Sequence, residues 1–357
     1  MITIVSYPLK RHLLFDSATQ REFTGTLSGN ILHVWDVIDD ATIKTIIDKF
    51  GEPKYIVMDS FSYYNTSLNV PVYCIDAWIE YQLTQFKSIV VTPVDGITMD
   101  HVANFLINKK QINRFLAMKL SEIFDIDVNY TWSGVGKEFD LMHIIQEKNS
   151  LNDSLIDQYW GEILFPISKF KEKWYSDSDN TVVDSFGIAE YGNNVETWNK
   201  YLNHIVSNSA ISIITESVWT QHATTFTEKT LYSVLGMTFP IWVGGVNSAT
   251  CWKNKGFDIF DDVIDHSYQN LPTLLERCFY AFYLNKDILT DFEKVSTLRK
   301  QKLGRLVNNR NLLTSGTFKK YNQAVVQQWP KDLQKLANAS IITHLPGLDS
   351  YLRNESC

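Results

Sequence analysis

Apolar runs alternate with helical patterns along the first hundred residues. The spacing of apolar residues predicts helices over residues 41–51, where Gly51 closes the helix, and over 77–86. The runs between them predict strands at 2–7, 31–37, 55–61, 70–76 and 88–94. Strands that alternate with helices imply a parallel sheet with both faces covered. We therefore predict an α/β domain over residues 1–98.

A second α/β series begins near residue 100. Strands at 102–108 and 128–132 flank a helix at 111–124, and a further strand follows at 209–217. The apolar run at 256–265 continues the series, and the chain is mostly helical from 271 to 339. Between 137 and 205 the sequence is polar and rich in aromatic residues, which indicates an insertion. We predict a second domain over 99–335 that contains this insertion, followed by a tail at 336–357.

The stretch TTFTEKTLYSVLGMTFPIWVGG, residues 224–245, combines several local signals. It predicts a short helix that ends at Gly236 and a buried strand that starts at Pro240. Because the helix follows the strand at 209–217, its N-terminus faces the carboxyl end of that strand, where ligands bind in parallel sheets. Free backbone N–H groups favour an anion there, and Lys229 adds a charge suited to a diphosphate. Glu228 can accept hydrogen bonds from a ribose diol.

A second interpretation of the same stretch needs no ligand. Thr225 and Glu228 have the spacing of a capping box, in which the hydroxyl and the carboxylate each bind a backbone N–H group of the helix end. Lys229 would then be a solvated surface charge. The spacing alone leaves the two interpretations open.

Composition and charge indicate which classes of protein this chain can belong to. With 45% hydrophobic and 20% charged residues, the chain is typical of a folded globular protein. A net charge of -7 disfavours a polyanionic partner unless basic residues cluster, as they do at 294–310. That run is either a solvated helix face or a local track for a polyanion. Four scattered cysteines indicate a reducing, cytoplasmic location, and no apolar run approaches the ~20 residues of a membrane span.

Several familiar catalytic motifs are excluded. The segment SGVGKEF at 133–139 has Glu138 where a phosphate-binding loop needs Ser or Thr. The sequence has no spacing of Cys and His residues that is typical of a metal site. Asp177 and Asp179 form a D-x-D pattern, but in a polar loop rather than after a strand. We therefore expect neither a metal ion nor a cofactor.

The stretch at 224–245 is part of a longer pattern. Glu216 precedes Phe-Thr-Glu-Lys at 226–229, and GFDIFDD and DHSY follow at 256–268; upstream, Leu-Ile-Asn-Lys-Lys at 106–110 precedes Arg114. These runs resemble the donor site of fucosyltransferase-type glycosyltransferases and of related phage and large-virus glycosyltransferases, which have the GT-B fold. Dense matching is confined to 213–268. Ser217 stands where the family usually has Asn, which leaves the identity of the sugar open.

The resemblance implies two Rossmann-like domains that face a cleft, with a helical C-terminal region. It implies that Glu228 holds the ribose of a nucleoside-diphosphate sugar and that Lys229 and Arg114 neutralise its diphosphate. The remaining residues of the implied donor site are Asn108, Lys109, Glu216, Thr227 and Gly244. The donor is a substrate and no metal is needed. The implied location is cytoplasmic, in a host cell if the protein is viral.

The acceptor side is less defined. A general base must take the proton of the acceptor hydroxyl, and in GT-B enzymes it usually follows a strand of the N-terminal domain. Asp59 is our first candidate, with Asp76 and Asp36 as alternatives. The acceptor is a glycan or, as in phage enzymes, a 5-hydroxymethyl-pyrimidine base of DNA. A third hypothesis is a non-catalytic protein that binds a sugar nucleotide or a glycan, and the sequence leaves the oligomeric state open.

Overall fold

The chain forms two compact units. The computed structural model describes residues 13–16, 21–28, 31–34, 40–58, 61–76, 79–80, 82–83, 99–107, 111–132, 141–170, 201–217 and 220–334. The first unit comprises residues 1–84, 222–226 and 316–357. The second comprises residues 85–221 and 227–315. Residues 316–334, which the sequence placed with the second domain, thus belong to the first unit.

The first unit contains a five-stranded mixed sheet. Its strands, in spatial order, are β1 (Leu13–Asp16), β2 (Arg21–Ser28), β3 (Ile31–Val34), β4 (Tyr55–Met58) and β6 (Val72–Cys74). β1, β2 and β3 pair antiparallel, whereas β3, β4 and β6 pair parallel. The predicted all-parallel sheet is therefore wrong for the first two strands. Polar and apolar residues alternate in REFTGTLS, which is typical of antiparallel strands and produces no apolar run.

The described part of the first unit also contains helices and a short two-stranded sheet. Helix α1 (Asp40–Phe50) joins β3 to β4, and Gly51 ends it with a φ of 92°. Strand β5 (Tyr63–Tyr64) pairs antiparallel with β10 (Ala223–Thr224). Helix α11 (Thr317–Gln327) is followed by Trp329 and Leu333, which pack with the core residues Tyr55, Val57 and Ile75.

The second unit is built on a parallel four-stranded sheet. Its order is β11 (Phe239–Trp242), β9 (Ser209–Ile214), β7 (His101–Ile107) and β8 (Val128–Trp132). All three pairings are parallel. Every residue of β9 and all but the first of β7 are buried, as expected for a sheet covered on both faces. These four predicted strands are confirmed.

Helices surround this sheet and fill the C-terminal region. They are α2 (Ile112–Ile123), α3 (Met142–Ser150), α4 (Ser154–Leu164), α5 (Glu228–Leu235), α6 (Ser248–Asn254), α7 (Leu274–Tyr283), α8 (Lys286–Leu289), α9 (Phe292–Gln301) and α10 (Leu303–Thr314). A π-helical turn spans Tyr201–Val206. The α/β class and the helical C-terminal region are confirmed.

One sequence prediction for this unit needs correction. The segment 256–265 does not continue the α/β series but forms turns between α6 and a short 3-10 helix at Ser267–Asn270. Helices α3 and α4 lie within the predicted insertion. Ile144, Ile156 and Ile163 of these helices are fully buried in the core of the unit. Residues 137–140 and 171–200 of that segment lie outside the described residues.

Among the residues that the structure describes, no helix has the length and apolar character needed to cross a membrane.

Candidate functional site

The carboxyl ends of β7, β9 and β11 lie at one edge of the parallel sheet in the second unit. Four residues separate the end of β7 from the start of helix α2, Glu216 follows β9, and Gly244 follows β11. Helix α5 connects β9 to β11, so its N-terminus starts from the same edge. We call Asn113, Arg114, Glu216, Gly244 and the segment 227–229 the carboxyl-edge site. Asn108 and Lys109, which the sequence assigned to it, lie outside the described residues.

Asn113 ties the first turn of α2 to the other two loops of this edge. Its side-chain Nδ2 donates to the backbone oxygen of Glu216 at 3.0 Å and to that of Val243 at 3.4 Å. The side chain is fully buried. Asn113 was not predictable from the sequence, because an amide in the first turn of a helix is also common on exposed surfaces. Its neighbour Arg114, 1% exposed, lies in the same turn, so the predicted cation is placed at this edge.

Glu216 is a buried carboxylate, 3% exposed, that accepts three hydrogen bonds. The backbone N–H of Thr227 donates at 3.0 Å, the Thr227 hydroxyl donates as well, and the Thr230 hydroxyl donates at 2.7 Å. The indole Nε1 of Trp242 in turn donates to Thr230 Oγ1 at 3.0 Å. Burial raises the pKa of Glu216, although the nearby Lys229 charge and these hydrogen bonds oppose the shift. The carboxylate therefore joins β9 to α5 and, through Thr230, to β11.

The predicted capping box at Thr225 and Glu228 is not formed. The N-cap residue of α5 is Thr227, whose Oγ1 accepts from the backbone N–H of Lys229 at 3.4 Å. The reason is tertiary, since Glu216 engages both the N–H and the hydroxyl of Thr227. The anion that this helix end was predicted to attract is therefore supplied by the chain itself. Charge attraction for a ligand then depends on side chains.

Lys229 is not the solvated surface charge of the second interpretation. Its side chain is 8% exposed, and its Nζ lies 2.6 Å from Oε1 of Glu228, whose side chain is 15% exposed. Buried ammonium groups require an anionic partner because loss of hydration disfavours the charged form. The structure therefore holds a cation and a carboxylate next to each other in the first turn of α5.

Gly244 lies in the segment that follows β11, and its φ of 107° favours glycine. Its backbone oxygen accepts from Nε of Arg277 at 2.8 Å. Nη1 of Arg277 also donates to the backbone oxygens of Leu271 and Pro272, both at 2.9 Å. Arg277 is 1% exposed, and burial lowers its pKa. Arg277 was not predictable from the sequence, because no sequence motif indicates a side chain that binds backbone oxygens.

The GFDIFDD segment has a structural role. Nη2 of Arg305 donates to Asp258 at 2.7 Å, and its Nη1 donates to both oxygens of Asp262 at 2.8 and 2.7 Å. Lys302 Nζ donates to Asp262 at 2.6 Å. The Arg305 guanidinium also lies 5.0 Å from the centre of the Phe260 ring. The segment is thus held against helix α10.

Three basic residues of the run at 294–310 make hydrogen bonds or ion pairs inside the second unit. Arg299, 6% exposed, donates to the backbone oxygens of Met237, Ser207 and Gly236 at 3.1, 3.0 and 2.9 Å. Lys302 and Arg305 bind the aspartates of 258–262, as described above. Arg299 is therefore not part of a solvated helix face, whereas Lys302 and Arg305 form ion pairs in which they stay 27% and 36% exposed. The polyanion track stays a prediction.

Of the three candidate bases, only Asp76 lies within the described residues; Asp36 and Asp59 do not. Asp76 is in the first unit, 2% exposed, and its carboxylate accepts a hydrogen bond from the Ser62 hydroxyl. Its backbone N–H donates to Asn322 Oδ1 at 3.4 Å, and its backbone oxygen accepts from Asn322 Nδ2 at 3.3 Å. Both the side chain and the backbone of Asp76 are therefore hydrogen-bonded, and its role as a base stays a prediction.

Within the described part of the chain, no three His, Cys, Asp or Glu side chains are grouped in a way that could hold a metal ion. Asp177 and Asp179 lie outside it. A scan against protein-family profiles and a search of curated proteins found no match to this chain. The carboxyl-edge site and the sequence resemblance are therefore the features that indicate a function.

Proposed function

We propose that this protein is a glycosyltransferase of the GT-B type, which moves a sugar from a nucleoside-diphosphate sugar to a hydroxyl acceptor. One observation supports this most strongly. Lys229 is buried beside Glu228 in the first turn of α5, at the carboxyl edge of a parallel sheet. A ligand that offers hydroxyl groups to the carboxylate and a diphosphate to the ammonium would match the chemistry of this ion pair. A nucleoside diphosphate has both in adjacent positions.

The proposed chemistry follows from charge. When the bond between the anomeric carbon and the phosphate oxygen breaks, the electron pair stays on the diphosphate, and negative charge develops there. Lys229 and Arg114 are fixed cations that would stabilise this charge, and preorganised charges act strongly where water is excluded. The acceptor oxygen forms the new bond to the anomeric carbon and releases its proton to a base. Asp59, Asp76 and Asp36 stay the candidates for that base.

The proposal treats the donor as a substrate and includes no metal or cofactor. A 5-hydroxymethyl-pyrimidine base of DNA stays the alternative acceptor: Arg299 is engaged inside the second unit, whereas Lys300 of the same basic run is exposed. A DNA acceptor would need basic side chains that are available to its phosphates.

A panel of UDP-, GDP-, ADP- and CMP-sugars tests the proposed donor site by thermal shift. A ligand at 100 times its Kd stabilises the folded state by ~2.7 kcal/mol. We expect a donor of one nucleotide class to raise the Tm of the wild type but not of Lys229→Met. Lys253→Met is the matched control, because Lys253 is an exposed lysine of α6 that pairs with Asp261. The proposal is wrong if no nucleotide sugar shifts the Tm, or if Lys229→Met responds like the wild type.

A further inference from the structure

The hydrogen bonds around Glu216 have a defined direction. The Thr230 hydroxyl accepts from Trp242 Nε1, so its single hydrogen is available to donate to Glu216. The Thr227 hydroxyl likewise accepts from the backbone N–H of Lys229 and donates to Glu216. The Thr227 N–H is a third donor. All three groups therefore require a side chain at position 216 that only accepts, as an ionised carboxylate does.

These donors flank Lys229 in sequence. Thr227 and Thr230 are its neighbours in the first turn of α5, and both are bound to one carboxylate that follows β9. The backbone of Glu216 is itself held, because its carbonyl oxygen accepts from Asn113 of α2. The position of the turn that contains Lys229 is therefore defined by Glu216 relative to the sheet and to α2.

We propose that Glu216 is a positioning residue of the donor site, which fixes the first turn of α5 so that Lys229 meets the diphosphate, and that it does not itself touch the donor. This inference rests on the proposed function and deepens it. It differs from the sequence resemblance, which counted Glu216 among the donor-binding residues. The carboxylate is already engaged by three donors of the chain.

Calorimetric titration with nucleoside diphosphates tests this role. A glutamine at position 216 presents an NH2 group to groups that donate, so at least one of the three hydrogen bonds is lost. We expect Glu216→Gln to weaken binding of the nucleoside diphosphate about tenfold, which equals about 1.4 kcal/mol. In the Lys229→Met background the same change should cause no further loss, because Glu216 acts through Lys229. A general structural role would instead give losses that add.

A pair of threonines provides a matched control. Thr230→Val removes a donor to Glu216, whereas Thr238→Val removes a buried hydroxyl that contacts Ser212 at 2.6 Å and Ser233 at 2.9 Å, outside the Glu216 hydrogen bonds. Both threonines are almost fully buried. We expect both variants to lower the Tm, but only Thr230→Val to weaken binding. Amide hydrogen exchange at residues 227–231 should also be faster in Glu216→Gln and Thr230→Val than in Thr238→Val without any ligand.

The outcomes separate the two claims. If no nucleoside diphosphate binds the wild type, the proposed function fails and this inference fails with it. If the wild type binds and Lys229→Met binds measurably but more weakly, while Glu216→Gln leaves both affinity and exchange unchanged, only the inference is overturned. Additive losses in the double variant overturn it too. If Glu216→Gln does not fold, equal binding by Thr230→Val and Thr238→Val decides against it.

Discussion

Nδ2 of Asn113 lies 3.0 Å from the backbone oxygen of Glu216 and donates a hydrogen bond to it. The same nitrogen reaches the backbone oxygen of Val243 at 3.4 Å. One buried amide thus connects the start of α2 with the segments that follow β9 and β11. Since carbonyl oxygens only accept, the side chain at this position has to donate.

We therefore predict that Asn113→Asp is strongly destabilising. The carboxylate has the same shape but would face two carbonyl oxygens without a hydrogen to donate, and leaving buried polar groups unsatisfied costs about 1–3 kcal/mol. Urea unfolding at neutral pH measures the effect. Asn254→Asp, at the exposed end of α6, is the control and should leave the free energy of unfolding nearly unchanged. Equal stability of both variants would show that the amide does not hold this edge together.

Arg299 gives a second stability prediction. Its guanidinium donates to three backbone oxygens, two of them at the end of α5. Arg299→Met keeps much of the aliphatic stem but removes these donors, so the free energy of unfolding should fall by about 1–3 kcal/mol. Lys300→Met changes the exposed neighbour in the same helix and should have little effect. A loss no larger in Arg299→Met than in Lys300→Met contradicts the assigned contacts.

The stability of the folded protein should depend on pH through the carboxylate of Asp262. Hydrogen bonds from Lys302 and Arg305 lower its pKa from 3.8 to about 2. A lowered pKa in the folded state contributes stability that is present above pH 3.8 and is lost as the pH falls toward 2. The side chain is 44% exposed, so solvent screening limits the contribution to less than about 1 kcal/mol.

Urea unfolding at pH values of about 6 and about 3 checks this prediction. The stability difference between the wild type and Asp262→Asn should be larger at the higher pH. Asp287→Asn is the control, because Asp287 is 88% exposed and its nearest cation, Lys294, is 3.7 Å away. If the difference in the free energy of unfolding between the wild type and Asp262→Asn is the same at both pH values, the prediction is wrong.

The parallel sheet of the second unit was predictable from sequence because it is covered on both faces. Its strands then read as continuous apolar runs, as in Ala-Ile-Ser-Ile-Ile of β9. The hairpin of β1 and β2 was not found, since alternating residues form no such run. Gly236 was correctly predicted as the helix end, but its φ is negative. A Cβ there would lie 2.6 Å from Cγ1 of Val206, so close packing explains the glycine.

The candidate site was predictable only where its signals are local. Lys229 and Glu228 belong to one short stretch, and the structure places them together. The cap at Thr225 was wrong because Glu216, eleven residues before Thr227 in the chain, engages Thr227 instead. Asn113 and Arg277 hold backbone oxygens of distant segments, and no local pattern can reveal such partners.

Release of nucleoside diphosphate from a nucleotide sugar is the most direct test of the proposed glycosyl transfer, and it also separates an enzyme from a binding protein. The wild type and Lys253→Met should release it both when a hydroxyl acceptor is added and when water is the only acceptor. Lys229→Met should be slower by about a hundredfold, within the range seen when one group that stabilises transition-state charge is removed, while its Tm without ligand stays close to that of the wild type. Binding of nucleotide sugars with no release, or equal release by Lys229→Met, would contradict the account.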